Sequence, residues 1–193
     1  MSATPSHGGR AVLFVQGGGA GTHDEWDHRL VASLRAALGP VFDVRYPYMP
    51  DEAEPSYATW STAIRSELDA LGDGTIVVGH SIGATIMIHA LAERPPARRL
   101  GAIVLVSAPF VGEGGWPAED WTPVESLGAR LPAGVPVHVF HGTADETAPV
   151  AHAELWGRAV PQAVVHRVVG RDHQLNDDLR EVAAVIVPTP ASE

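Results

Sequence analysis

Thr75-Ile76-Val77-Val78-Gly79-His80-Ser81-Ile82-Gly83 joins an apolar run to a serine with glycine two residues away on either side, and a stretch of small apolar residues follows. The run reads as a buried strand and the stretch after Ser81 as a helix. A strand that passes into a helix through so tight a turn leaves room only for glycine beside the central residue. Such an elbow exposes the Ser81 hydroxyl at the carboxyl end of the strand. The five-residue pattern occurs often enough by chance that its setting must decide its meaning. Here strand, turn and helix follow in the required order.

Working outward, residues 11–15 form a near-continuous apolar run that opens into glycines, as a strand covered on both faces does. Trp26, Leu30, Val31, Leu34 and Leu38 then recur at helical spacing up to Gly39-Pro40, and residues 41–46 read as a second strand. Tyr57, Trp60, Ile64, Leu68 and Leu71 define another helix, which stops at Gly72-Asp73-Gly74. Trp26 and Trp60 fall on the apolar faces of their helices and read as core. Beyond the elbow, strands are predicted at 102–106, 135–140 and 163–169, and helices near 150–160 and 176–187. Residues 108–136 carry few periodic apolar positions and read as a long loop with a short helix.

Six strands, mostly separated by helices, predict an α/β three-layer sandwich: a six-stranded parallel sheet with right-handed crossovers and helices on both faces. Its reactive loops belong at the carboxyl ends of the strands. At 193 residues the chain suits one domain, expected over 10–188, with flexible tails at 1–9 and 189–193. The segment after the fourth strand is too short for a large cap, which favours short-chain, water-soluble substrates over a deep lipid tunnel.

Composition removes several alternatives. Thirteen basic against 23 acidic side chains give a formal charge of −10, which works against long-range attraction to nucleic acid or anionic lipid. With no cysteine, disulfides, thiolate metal sites and a cysteine nucleophile are excluded. With no lysine, so are a Schiff-base lysine, a serine-lysine dyad and a phosphate-loop lysine. No apolar run approaches the ~20 residues of a membrane span, and the polar first ten residues do not resemble a secretory signal, so a cytoplasmic protein is expected. His138 with His141 lacks convincing metal spacing, and His23 with His28 lies partly in a loop. No metal and no cofactor are expected, and the oligomeric state is left open.

A serine hydroxyl is a weak nucleophile at neutral pH and needs a base, with an acid to hold that base in the right tautomer. His173, in Gly170-Arg171-Asp172-His173 after the sixth strand, is the candidate base. Asp145, in His141-Gly142-Thr143-Ala144-Asp145 after the fifth, is the candidate acid, with Glu146 and Asp172 as rivals. Acyl transfer also requires donors for a developing oxyanion. The Ile82 N–H at the helix start supplies one. The second is assigned to the loop Gln16-Gly17-Gly18-Gly19, to Gly18 ahead of Gly17. The competing readings of that loop are a cofactor phosphate site, for which the third glycine of a dinucleotide fingerprint is missing, and a purely structural turn. Met49, Phe110, Val111, Trp116 and Trp121 are candidate substrate contacts, against the alternative that such side chains staple their loops to the core.

Together the elbow, the glycine loop, Asp145 and His173 resemble the α/β-hydrolase superfamily, over about residues 11–187. The small size, the segment Thr22-His23-Asp24-Glu25-Trp26 and the absence of a cap are similar to minimal single-domain serine hydrolases of the YdeN-like and retinoblastoma-binding-protein-like type. The resemblance implies a strand order 2-1-3-4-5-6. One departure is Gln16, where many relatives carry histidine before the glycines. The function implied is hydrolysis of a small carboxylic ester or related acyl substrate. The alternative from another class is a non-catalytic binding or scaffold protein that keeps the fold. A nucleotide-binding α/β protein is disfavoured by the missing lysine and incomplete fingerprint.

Overall fold

A computed structural model describes residues 10–118 and 121–187. The tails expected at 1–9 and 189–193 lie outside the described residues. Six strands pair in parallel in the order β2-β1-β3-β4-β5-β6: β1 Arg10–Val15, β2 Phe42–Arg45, β3 Thr75–His80, β4 Leu100–Val106, β5 Val137–Gly142 and β6 Ala163–Val168. The order is the one implied above. Val15 lies beside Gly79 and Gly79 beside Leu105, so the central strands reach one rim at the same level.

Alternate residues of each strand point to opposite faces. Leu13, Val15, Val77, Ile103, Leu105 and Val139 face helices α2 (Tyr57–Asp69), α3 (Ser81–Glu93) and α5 (Ala151–Ala159). Val12, Phe14, Ile76, Val78, Val104 and Phe140 face α1 (His28–Leu38) and α6 (Arg180–Ile186). Helix α3 is buried along nearly its whole length, which explains its small apolar composition: it crosses the middle of the sheet with α2 packed beside it. Ser56 caps α2, its hydroxyl accepting the Thr59 N–H. Among its described residues, the irregular segment after β4 contains only the short helix α4 (Leu127–Arg130).

Two expectations fail locally. Trp26 is 49% exposed rather than core. Residues Thr22–Asp27 form a wide π-helical segment ahead of α1, so the 3.6-residue spacing of α1 does not extend back to Trp26. Thr22, His23 and Asp27 turn inward instead. The helix expected at 176–187 begins only at Arg180, because Leu175, Asn176 and Asp177 all have positive φ. There the Asp172 carboxylate accepts the Asn176 N–H and the Asn176 side chain accepts the Asp172 N–H, tying off a tight turn directly after His173.

Candidate active site

Ser81 occupies the junction of β3 and α3 with φ of 51°, a left-handed conformation that costs a non-glycine residue energy and persists only under surrounding constraint. The flanking glycines are demanded by space. A Cβ on Gly79 would lie 2.6 Å from the Ala84 Cα, and one on Gly83 would collide with the carbonyl oxygen of Gln16. The elbow therefore packs against the carboxyl end of β1 and brings the glycine loop over Ser81.

Loops after β5 and β6 complete the group. The Ser81 hydroxyl lies 2.9 Å from His173 Nε2, and His173 Nδ1 lies 2.8 Å from Asp145 Oδ2. Asp145 Oδ1 accepts the N–H groups of Thr147 and Ala148, each at 2.9 Å, which fixes the carboxylate plane. Burial pushes the Asp145 pKa upward, but hydrogen bonds from His141 and His173 and the charge of His173 outweigh it and hold the carboxyl well below its ordinary value. The rivals stand elsewhere: Glu146 and Asp172 are exposed, and Asp172 is engaged with Asn176. Gly142 lets the two loops meet, since a Cβ there would strike the Arg171 carbonyl oxygen.

On the other side, the Gly17 N–H, expected as an alternative oxyanion donor, is instead committed to Asp27 Oδ2 at 2.7 Å. The Gly19 N–H donates to the Glu52 carbonyl at 2.6 Å. The Gly18 N–H has no acceptor among the described residues, and it borders the cavity with Ile82. Sequence reasoning did not single out Glu52, Asp27 or His80 as parts of the site. The Glu52 carboxylate accepts from Gln16 Nε2, Gly21 N–H and His23 N–H, and Gln16 Oε1 accepts the Met49 N–H. Burial raises the Glu52 pKa, yet these three donors together lower it. Gln16 thus braces the loop from behind. Met49 is buried in the core and lines none of the cavities described below, contrary to expectation.

Ser81, His173, Gly18, Trp26 and Trp116 border an open cavity of about 700 Å³. A second cavity of about 650 Å³ shares Pro55, Ile82 and Trp116 with it and is walled by Val111, Trp121, Tyr57 and Ile86. Trp121 stacks on Tyr57 at 4.5 Å, so it both staples its loop and forms a wall. Phe110 lines a third space, away from Ser81, and packs edge-on against Trp156 at 5.0 Å. Among the described residues no group of three or more His, Cys, Asp or Glu side chains is arranged to hold a metal ion, and no helix is long and apolar enough to cross a membrane.

An open parallel sheet in this order, with a serine on a strained elbow after β3 and an acid and a histidine on the loops after β5 and β6, defines an α/β-fold hydrolase. The chain belongs to the serine hydrolase family, whose profile matches residues 12–177. No curated protein matches the sequence. Among solved structures, the ydeN gene product of B. subtilis is similar at 19% identity and TM-score 0.71, over 92% of this chain and 96% of that one. The esterase RhEst1 from Rhodococcus sp. is similar at 17% identity and TM-score 0.65, over 95% and 92% of the respective chains. A CIB-like hydrolase from Thermoplasma acidophilum is similar at 17% identity and TM-score 0.64, over 95% and 86%.

Proposed function

We propose that the chain cleaves a small carboxylic ester or related acyl substrate through an acyl-enzyme intermediate, with Ser81, His173 and Asp145 as its triad. The observation that carries this reading is the unbroken series Asp145–His173–Ser81, with contacts of 2.8 and 2.9 Å, opening onto a cavity. His173 Nε2 takes the Ser81 proton as Oγ attacks the acyl carbon, while Asp145 holds the Nδ1–H tautomer and favours the imidazolium that forms. The Ile82 and Gly18 N–H groups receive the oxyanion, aided by the positive end of α3. Collapse expels the alcohol, which takes its proton from His173. Water, deprotonated by His173, then attacks the acyl carbon, and release of Ser81 Oγ with the returned proton yields the acid.

In this reading the apolar wall of Val111, Trp116 and Trp121 receives the acyl or alcohol group, while Phe110, outside the cavity bordering Ser81, packs behind it on Trp156. The expected test result is hydrolysis of p-nitrophenyl acetate and butyrate and stoichiometric labelling of Ser81 by a fluorophosphonate. Ser81→Ala and His173→Ala should lower the rate by about 10⁴-fold or more. Equal rates for wild type and Ser81→Ala would refute the mechanism. Absence of both labelling and turnover in folded protein would favour the non-catalytic binding role.

A further inference from the structure

Behind the elbow lies a second acid–histidine pair that the proposed reaction does not consume. Asp27 is 0% exposed and His80 1%, and His80 Nδ1 lies 2.9 Å from the Asp27 carboxylate. We infer that Asp27 and His80 are positioning residues that join the glycine loop to the His173 loop and hold both at the geometry the transition state needs. This inference rests on the hydrolase reading above.

Three loops meet in this pair. Asp27 Oδ2 accepts the Gly17 N–H at 2.7 Å, which orients the peptide immediately before the free Gly18 N–H. His80 Nε2 lies 3.1 Å from the carbonyl oxygen of His173, and His80 is itself bonded to Ser81 in the chain. The path Gly17–Asp27–His80–His173 thus links the backbones carrying oxyanion donor, nucleophile and base. It leaves no slack: a Cβ on Gly17 would lie 3.1 Å from His80 Nδ1 and 3.2 Å from the Ser81 Cβ.

The chemistry of the contacts also sets the state of His80. A carboxylate and a carbonyl oxygen both only accept, so each His80 nitrogen must carry a hydrogen, and the ring is an imidazolium balanced by Asp27. Burial opposes that charge, but the Asp27 carboxylate and the hydrogen bonds to Asp27 and His173 prevail and raise the His80 pKa. The pair spends both His80 nitrogens inside the protein, on Asp27 and on the His173 carbonyl oxygen, although His80 borders the cavity beside Ser81. Its contribution is to keep the Gly18 donor and His173 from drifting by the fraction of an ångström that transition-state stabilisation does not tolerate.

Asp27→Asn keeps the side chain's size but cannot accept from both Gly17 and His80 with full charge, and His80→Gln offers one donor group in place of two. Each variant should lower kcat for p-nitrophenyl acetate by about 10- to 100-fold, with KM within about 3-fold. Affinity for a trifluoromethyl ketone, which Ser81 converts to a hemiketal oxyanion, should fall by the same factor as kcat/KM. A purely structural role would lower Tm while leaving kcat per folded molecule and ketone affinity unchanged, and that result would overturn the inference. Should both variants fail to fold, long-range ¹H–¹⁵N spectra of the wild type at pH 7.5 decide: both His80 nitrogens protonated supports the pair, and a neutral His80 overturns it. Ester cleavage that survives Ser81→Ala would defeat the hydrolase reading. Cleavage that requires Ser81 but ignores Asp27→Asn would defeat only the positioning role.

Discussion

His80 and His89 lie nine residues apart on the same strand–elbow–helix unit, both almost completely buried, and their surroundings drive them in opposite directions. His80 faces the Asp27 carboxylate and its pKa is raised. His89 accepts the Val124 N–H at Nδ1, lies edge-on to Trp121, and has its pKa depressed by burial to about 4. Burial disfavours the cation at both positions, and only an anion in contact reverses the outcome. The same division runs through the whole rim. The side built from residues 16–27 and from the loops after β5 and β6 is braced by carboxylates that collect N–H groups, whereas the described residues of 108–126 combine aromatic contacts with N–H groups given to His89 and His152, and no carboxylate braces them. A braced polar side can hold reacting groups to a fraction of an ångström. An aromatic wall can adjust to the shape of what it receives.

The largest test of that contrast is Asp145→Asn. The amide oxygen can still accept from Thr147 and Ala148, but its NH₂ favours the wrong His173 tautomer, so kcat should fall by about 10³- to 10⁴-fold with Tm little changed. Ester kinetics and calorimetry on the same sample check this; near-normal kcat would show that the polar brace does not serve chemistry. Next in size is the pH dependence of stability. The folded-state pKa of His89 is depressed from 6.5 to about 4, so between these values the unfolded chain binds a proton that the native protein does not. Native stability from this residue is therefore complete above about pH 6.5 and is lost as pH falls, amounting to about 2 to 3 kcal/mol by pH 4.5. His138, His152 and His166, whose pKa values are also lowered, remain in His89→Gln, so the difference between the two proteins isolates His89. Urea unfolding at pH 7.5 and 4.5 should show the gap between them shifting by that amount, and parallel pH slopes would break the comparison. The smallest effect is expected on the adaptable wall: Trp116→Ala should raise KM for p-nitrophenyl octanoate by about 3- to 10-fold and leave acetate kinetics nearly unchanged. Equal changes for both esters would mean that Trp116 positions the site rather than shaping its pocket.

Much of the polar side was legible in the linear chain, because each of its principal residues follows a strand. Ser81 after β3, Asp145 after β5 and His173 after β6 share a rim simply because parallel strands end together. The brace behind them was not legible. Asp27 and His80 are far apart in sequence, and an aspartate at the start of a helix reads as a cap until its neighbours are known. Glu52 lies in a stretch with no periodicity at all. Two bulky apolar side chains near that brace are not legible either: helical spacing places Trp26 in the core, and a position after a strand places Met49 at the pocket. A π-helical turn moved the first outward to border the cavity, and the bond from the Met49 N–H to Gln16 accompanies the burial of the second.

Hydrophobic periodicity and glycine placement, which are local and repeat along the chain, determined the six strands, the elbow and the end of the sheet where chemistry belongs. The strand order came from resemblance, and the sheet pairing bears it out. Tertiary structure alone decided which N–H groups are spent and which are free, and which buried histidine gains a carboxylate. Those outcomes depend on contacts between residues tens of positions apart, and no pattern in the order of the residues encodes the distance between them.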